Sequence, residues 1–149
     1  MDVRTSTQRR WFHSHVSGVL TTITGAPVST DEDGDYLVRG TTSQAWVRLL
    51  RGDPCGVHVF AWAARGVPGR VAVLRELNAH NLDNLGTRVA WAAPGLVVVD
   101  ALVHADAVTA ETLTAVVGRV LHLADSIGPV LTAMYGGSTF HPASDASAA

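Results

Sequence analysis

The sequence contains no lysine, and all 11 of its basic residues are arginine. A phosphate-binding loop with its Gly-Lys-Ser/Thr ending is therefore excluded, and the glycine-bearing stretch Gly66-Val67-Pro68-Gly69-Arg70 lacks that ending. Cysteine is scarce as well. Cys55 stands alone, so no intrachain disulfide can form, and a reducing compartment is expected. Charged residues make up only 16% of the chain and the net charge is −2, which argues against nucleic acid or an anionic membrane as the main partner. Long apolar runs are missing too: Val57 to Ala64 and Leu96 to Val99 are far too short to span a bilayer. The N-terminus leads directly into a helical pattern, and no apolar segment of the kind a secretion signal needs follows Arg9-Arg10. The expected location is the cytoplasm.

What is present suits a globular protein. Apolar residues are 47% of the 149, enough for one domain with a full-sized core. Arginine without lysine, with abundant alanine, valine and glycine, fits a GC-rich bacterial genome.

Apolar residues recur at helical spacing from Gln8 to Thr24, through Phe12, Val16, Val19, Leu20 and Ile23, and Gly25-Ala26-Pro27 ends this helix. An acidic turn, Asp31 to Asp35, leads to a short strand at Tyr36–Arg39. Two further strands follow at Gln44–Leu50 and Gly56–Ala64, joined by Arg51-Gly52-Asp53-Pro54. A second helix runs from the Gly66–Gly69 break to about Leu85. Strands at Arg88–Ala92 and Leu96–Leu102 flank the turn Ala93-Pro94-Gly95. Thr109 is a suitable N-cap for a third helix, with Glu111 in its first turn. Its apolar face carries Leu113, Val116, Val117, Val120, Leu123, Ala124 and Ile127. Ala115, Arg119, His122, Asp125 and Ser126 lie opposite. Gly128-Pro129 is expected to interrupt this helix before Val130–Tyr135 resumes it. One domain is expected over residues 8–137, followed by a disordered polar tail over 138–149. The order α-β-β-β-α-β-β-α, with short turns between strands, predicts an α+β fold: an antiparallel five-stranded sheet with helices packed on one side.

Both sheet faces read as apolar. Ala45, Val47 and Leu49 share one face of the second strand, while Trp46, Arg48 and Leu50 share the other. Val57, Val59, Ala61 and Ala63 oppose His58, Phe60 and Trp62 in the third. A one-sided domain carries a polar outer face, so the first helix, a second copy or a client must cover the extra apolar surface. On the second helix, Asn78 and Asn81 fall in phase with Val71, Leu74, Leu77 and Leu85. An inward asparagine needs hydrogen-bond partners, so both are expected to be structural.

Catalytic and metal patterns are weak. His13 and His15 diverge on a helix, and His58, His80, His104 and His122 show no ligand spacing. Asp31, Asp33 and Asp35 have calcium-loop spacing, but Tyr36 stands in place of the loop glycine and Thr42 in place of its bidentate glutamate. Cys55 and Ser138-Thr139 have no base nearby in sequence. No catalytic residue, cofactor or metal is expected.

The element order and several local motifs resemble the YbjN and type III secretion chaperone-like superfamily. The matching residues are Leu77-Asn78 with Asn81, Gly86-Thr87-Arg88-Val89-Ala90-Trp91, Val97-Val98-Val99-Asp100-Ala101, Ala124-Asp125-Ser126 and the Gly136-Gly137 ending. Asp33-Gly34-Asp35-Tyr36 is similar to actinobacterial members. The resemblance spans roughly Phe12 to Gly137. It implies a non-catalytic homodimer that binds peptide segments of partner proteins. It places the dimer contact on the second helix and late strands, with Trp91, Val97, Val98 and Val99 as candidates. Trp46, Phe60 and Trp62 of the early strands are then the candidate peptide-binding surface. A rival expectation is an enzyme or small-ligand domain with a pocket near Trp62, Trp91, Asn78 and Asn81. A third is a structural subunit whose only role is to pair.

Overall fold

The computed structural model describes residues 3–52 and 55–143. They form α1 (Val3–Thr24), β1 (Tyr36–Arg39), β2 (Gln44–Arg51), β3 (Cys55–Ala64), α2 (Val71–Asp83), β4 (Arg88–Ala92), β5 (Leu96–His104) and α3 (Ala110–Tyr135). Asp53 and Pro54 of the β2–β3 turn lie outside the described residues, as do residues 144–149 of the expected tail.

Links of a few residues leave room only for hairpins, and β1–β2, β2–β3 and β4–β5 are all antiparallel pairs. β3 also pairs antiparallel with β5. The five-stranded sheet therefore runs β1-β2-β3-β5-β4, with β4 at its edge. Strand alternation sends Val47, Val57, Val59, Ala61, Val97, Val99 and Val103 to one side. There they join a single core with Val16 and Leu20 of α1, Val73 and Leu77 of α2, and Leu113, Val117, Val120, Ile127 and Leu131 of α3. The helices cover that side only. Trp46, Phe60, Trp62, Val98, Asp100 and Leu102 point the other way.

Three local expectations require correction. Gly128-Pro129 does not interrupt α3, which is continuous from Ala110 to Tyr135 with Pro129 inside it. A β-carbon at Gly128 would fall 2.2 Å from the carbonyl oxygen of Ala63, so this glycine lets the helix approach β3 closely. Burial of Ile127 and Leu131 on either side holds the helix through the proline, and the Thr132 hydroxyl donates back to the carbonyl of Gly128. Asp125, expected on the solvent face, is half-buried against the β1–β2 loop. Its carboxylate accepts from the amides of Thr41 (2.9 Å), Thr42 (2.8 Å) and Ser43 (2.8 Å) and from the hydroxyls of Thr42 and Ser43.

The third correction concerns the chain after α3. A disordered stretch does not begin at Ser138. Gly136 and Gly137, with φ of +90° and +96°, turn the chain back along the sheet. Ser138 and Arg65 then exchange both main-chain hydrogen bonds, each 2.9 Å.

Candidate functional site

The open face of the sheet carries a contiguous aromatic ladder. Cross-strand register sets Trp46 opposite Phe60, and their rings stack at 5.6 Å with an interplanar angle of 11°. Trp62 lies diagonal to Trp46, with ring centroids 4.9 Å apart. All three are half-buried, so much of each ring remains available although no helix covers it. Two charged groups border the ladder. Arg48 sits over the Phe60 ring at 5.2 Å and is held there by a two-pronged contact with buried Asp35. On the other side Asp100, 7% exposed, accepts from Arg88 and lies 2.9 Å from His58 Nε2. Burial alone raises the Asp100 carboxyl, but the bonds from His58 and Arg88 outweigh it and hold the group below the usual carboxylate range. Both charges are thus paired and fixed in position.

A fourth aromatic residue completes the ladder, and the sequence reading missed it. Phe140 lies edge-on to Trp46 at 5.8 Å and to Trp62 at 6.0 Å, with the Arg65 guanidinium 5.9 Å above it. The next residue is anchored as well: the His141 amide donates to the carbonyl of Thr42 (2.8 Å). His141 Nε2 lies 3.3 Å from Gln44 Oε1. Burial, and then the nearby Arg39 charge, push the His141 imidazole toward its neutral form. A lone aromatic in a tail of small and polar residues was the available signal.

The other candidate residues divide. Val97 and Val99 are fully buried beneath the protein's own helices, so the expectation that they form a dimer contact fails for both. Trp91 shares their side of the sheet. Its indole N–H donates to the carbonyl of Val67 (2.8 Å), and the ring lies against Gly69, where a β-carbon would fall 2.7 Å from it. Val98 alone of that run faces outward, half-buried. The Asn81 amide accepts from the N–H of Val89 (2.7 Å) and donates to its carbonyl (2.9 Å). A neighbouring strand would make the same pair of bonds, so Asn81 satisfies the edge of β4 as α2 packs beside it. Asn78 is exposed and has no side-chain hydrogen bond among the described residues, contrary to the expectation for it.

The helical phase explains the difference. The buried stripe of α2 is Val73 and Leu77, one step around from Asn78. Val71, Leu74 and Leu82 lie on Asn78's side and are 64, 47 and 73% exposed, and Leu85, past the end of the helix at Asp83, is 85% exposed. The rival pocket does not assemble, because Trp62 and Trp91 lie on opposite sides of the sheet.

Carboxylate oxygens of Asp31, Asp33 and Asp35 lie within 4.8 Å of one another. Asp31 Oδ1 already accepts from the amides of Asp33 and Asp35 (3.0 Å each), and Asp35 is paired with Arg48. These residues build a turn. No helix among the described residues is long and apolar enough to cross a membrane.

A family model described as "T3SS (YopN, CesT) and YbjN peptide-binding chaperone 1" matches residues 10–143. No curated protein matches the sequence. Among solved structures, the chain is similar to one in the ExsC–ExsE complex, with a TM-score of 0.62 and 18% identity over 88% of this chain and 97% of that one. It is also similar to a chain in the Yersinia pestis type III secretion chaperone SycH in complex with a stable fragment of YscM2 (TM-score 0.55, 15% identity, 74% of this chain and 97% of that one). A third likeness is to a chain in the HopA1–SchA chaperone–effector complex, with a TM-score of 0.62 and 11% identity over 80% of this chain and 94% of that one.

Proposed function

The chain belongs to this family of type III secretion and YbjN peptide-binding chaperones, and on that premise we propose that it is a non-enzymatic cytoplasmic chaperone or adaptor. It holds an extended segment of a client protein on the open face of its sheet. The observation that carries this reading is the Trp46–Phe60–Trp62 ladder, aromatic surface with both faces of the sheet apolar and only one packed by helices. Rings spaced by strand register leave gaps that accept alternate side chains of an extended peptide, and tryptophan is a favoured anchor at such contacts. The solved complexes similar in fold, including a chaperone with its effector, support a protein client.

The test is recovery of tagged wild type and a Trp46→Asp variant from the native host, each checked for folding by circular dichroism. The proposal expects proteins that accompany the wild type and are lost from the variant. Identical sets from two folded proteins would refute it.

The active form is a homodimer, and its contact lies on the outward stripe of α2. Val71, Leu74 and Leu82, with Asn78 among them, occupy about 80° of arc at about 100° per residue, and Leu85 follows just past the end of the helix. Three large apolar side chains left this exposed on one helix, with Leu85 just past its end, are unusual for a monomer. A second copy covers them by the same stripe packing against itself across a two-fold axis. Val98 and the β4 edge lie outside this contact, except as Asn81 ties β4 to α2.

A further inference from the structure

The segment over 138–142 bridges to Arg65 at Ser138 and then bends at Phe140 and His141 over the ladder, and we infer that it is a built-in competitor for the client site. Phe140 occupies the place that an aromatic side chain of the client takes when it binds. This deepens the proposed client-binding role and rests on it. The segment has the chemistry of the ligand the face is suited to hold. It adds a short antiparallel pairing through Arg65 and Ser138, presents one ring to two tryptophans, and closes with a main-chain bond from His141 to Thr42.

Its hold is limited. Three main-chain bonds, one half-buried ring beneath the Arg65 guanidinium and two long side-chain contacts of 3.3 Å, Arg65 to Ser138 and His141 to Gln44, secure it, and Thr139 gives its hydroxyl to the segment's own His141 carbonyl. Phe140 touches the ladder edge-on and makes no ring contact with Phe60, so an incoming peptide can engage the Phe60 end of the ladder beside Arg48 first and then displace it. The glycines at 136 and 137 provide the pivot, since neither is part of α3 and both have left-handed backbone angles. The occupant that displaces the segment is an extended client stretch bearing an aromatic residue, which makes the same ring contacts together with further main-chain ones.

The test uses the full chain and a fluorescein-labelled synthetic peptide, Gly-Ser-Thr-Phe-His-Pro, copied from residues 137–142. Anisotropy is followed to millimolar peptide with wild type, Phe140→Ala and Ser138→Pro. The last removes the amide that donates to Arg65 without touching the ladder. If the resident segment leaves the face open about a tenth of the time, both variants bind the peptide about tenfold tighter than wild type. The same peptide with alanine for phenylalanine binds none of them. Equal affinity for all three proteins, or no binding to either variant, overturns the inference. Client recovery that depends on Trp46 but not on Phe140 would also overturn it while leaving the chaperone reading intact. Loss of Trp46-dependent recovery would remove that reading itself.

Discussion

Replacing Asp125 tests how the β1–β2 loop is held, and the structure gives the size of the effect. One carboxylate satisfies the amides of three successive residues, Thr41, Thr42 and Ser43. Thr41 is exposed and can turn to water, whereas Thr42 and Ser43 are 3% and 0% exposed and cannot. Asp125→Ala strands two buried amides at about 1–2 kcal/mol each, so roughly 3 kcal/mol of stability is lost. For a chain of this size that lowers the melting temperature by roughly 6–12 °C. Asp125→Asn keeps one acceptor oxygen and loses roughly half as much. The pH dependence has a definite sign. Burial raises the Asp125 carboxyl, but the bonds from Thr41, Ser43 and Thr42 prevail and its folded value lies below the ordinary 3.8. Its contribution is therefore complete above that value and fades as pH falls through the folded one. Asp100 shifts the same way, so Asp125→Asn flattens the acid limb of the stability profile without abolishing it. Differential scanning fluorimetry between pH 3 and 7, with amide exchange at Thr42 and Ser43, measures both effects. An Asp125→Ala protein that melts within about 2 °C of wild type would refute the reasoning.

Other substitutions separate neighbouring roles. Asn81→Leu leaves the Val89 amide and carbonyl without partners and costs roughly 2–4 kcal/mol in chemical denaturation, whereas Asn78→Leu stays within about 0.5 kcal/mol of wild type. Gly128→Ala drives a methyl group into the Ala63 carbonyl, and urea titration should show a loss of at least about 2 kcal/mol even though alanine is the better helix former. Leu82→Glu with Leu85→Glu, both on exposed positions, leaves the fold unchanged while the sedimenting mass falls from about twice 15.7 kDa to the mass of one chain. A wild type that sediments as a monomer would remove the α2 contact.

Strand positions and faces were legible because period-two alternation is short-range. The half-buried ladder of Trp46, Phe60 and Trp62 follows directly from it. The helices were harder to read where tertiary packing decides. In α2 the apolar arc runs continuously from Val73 through Leu77 and Leu74 to Val71 and Leu82, and sequence cannot say which half of an arc meets the sheet. At Gly128-Pro129 the local rules for a helix stop compete with close approach to Ala63, and the packing wins. Asp125 read as solvent-facing because its partners lie more than 80 residues away in the chain. Phe140 was hidden by composition: small polar neighbours suggest disorder, while its binding surface is assembled from β2 and β3. Val97 and Val99 were misassigned to a dimer contact because apolar residues facing a partner and those facing the protein's own helices look alike in sequence.

The central claim is that a client lies on the open sheet face. Site-specific photocrosslinking in the native host tests it most directly, with p-benzoylphenylalanine in place of Trp46 and, separately, in place of His122 on the solvent face of α3. The account predicts adducts to a client protein from position 46 and none from position 122. Adducts from His122 alone, or the same adducts from both positions, would contradict it.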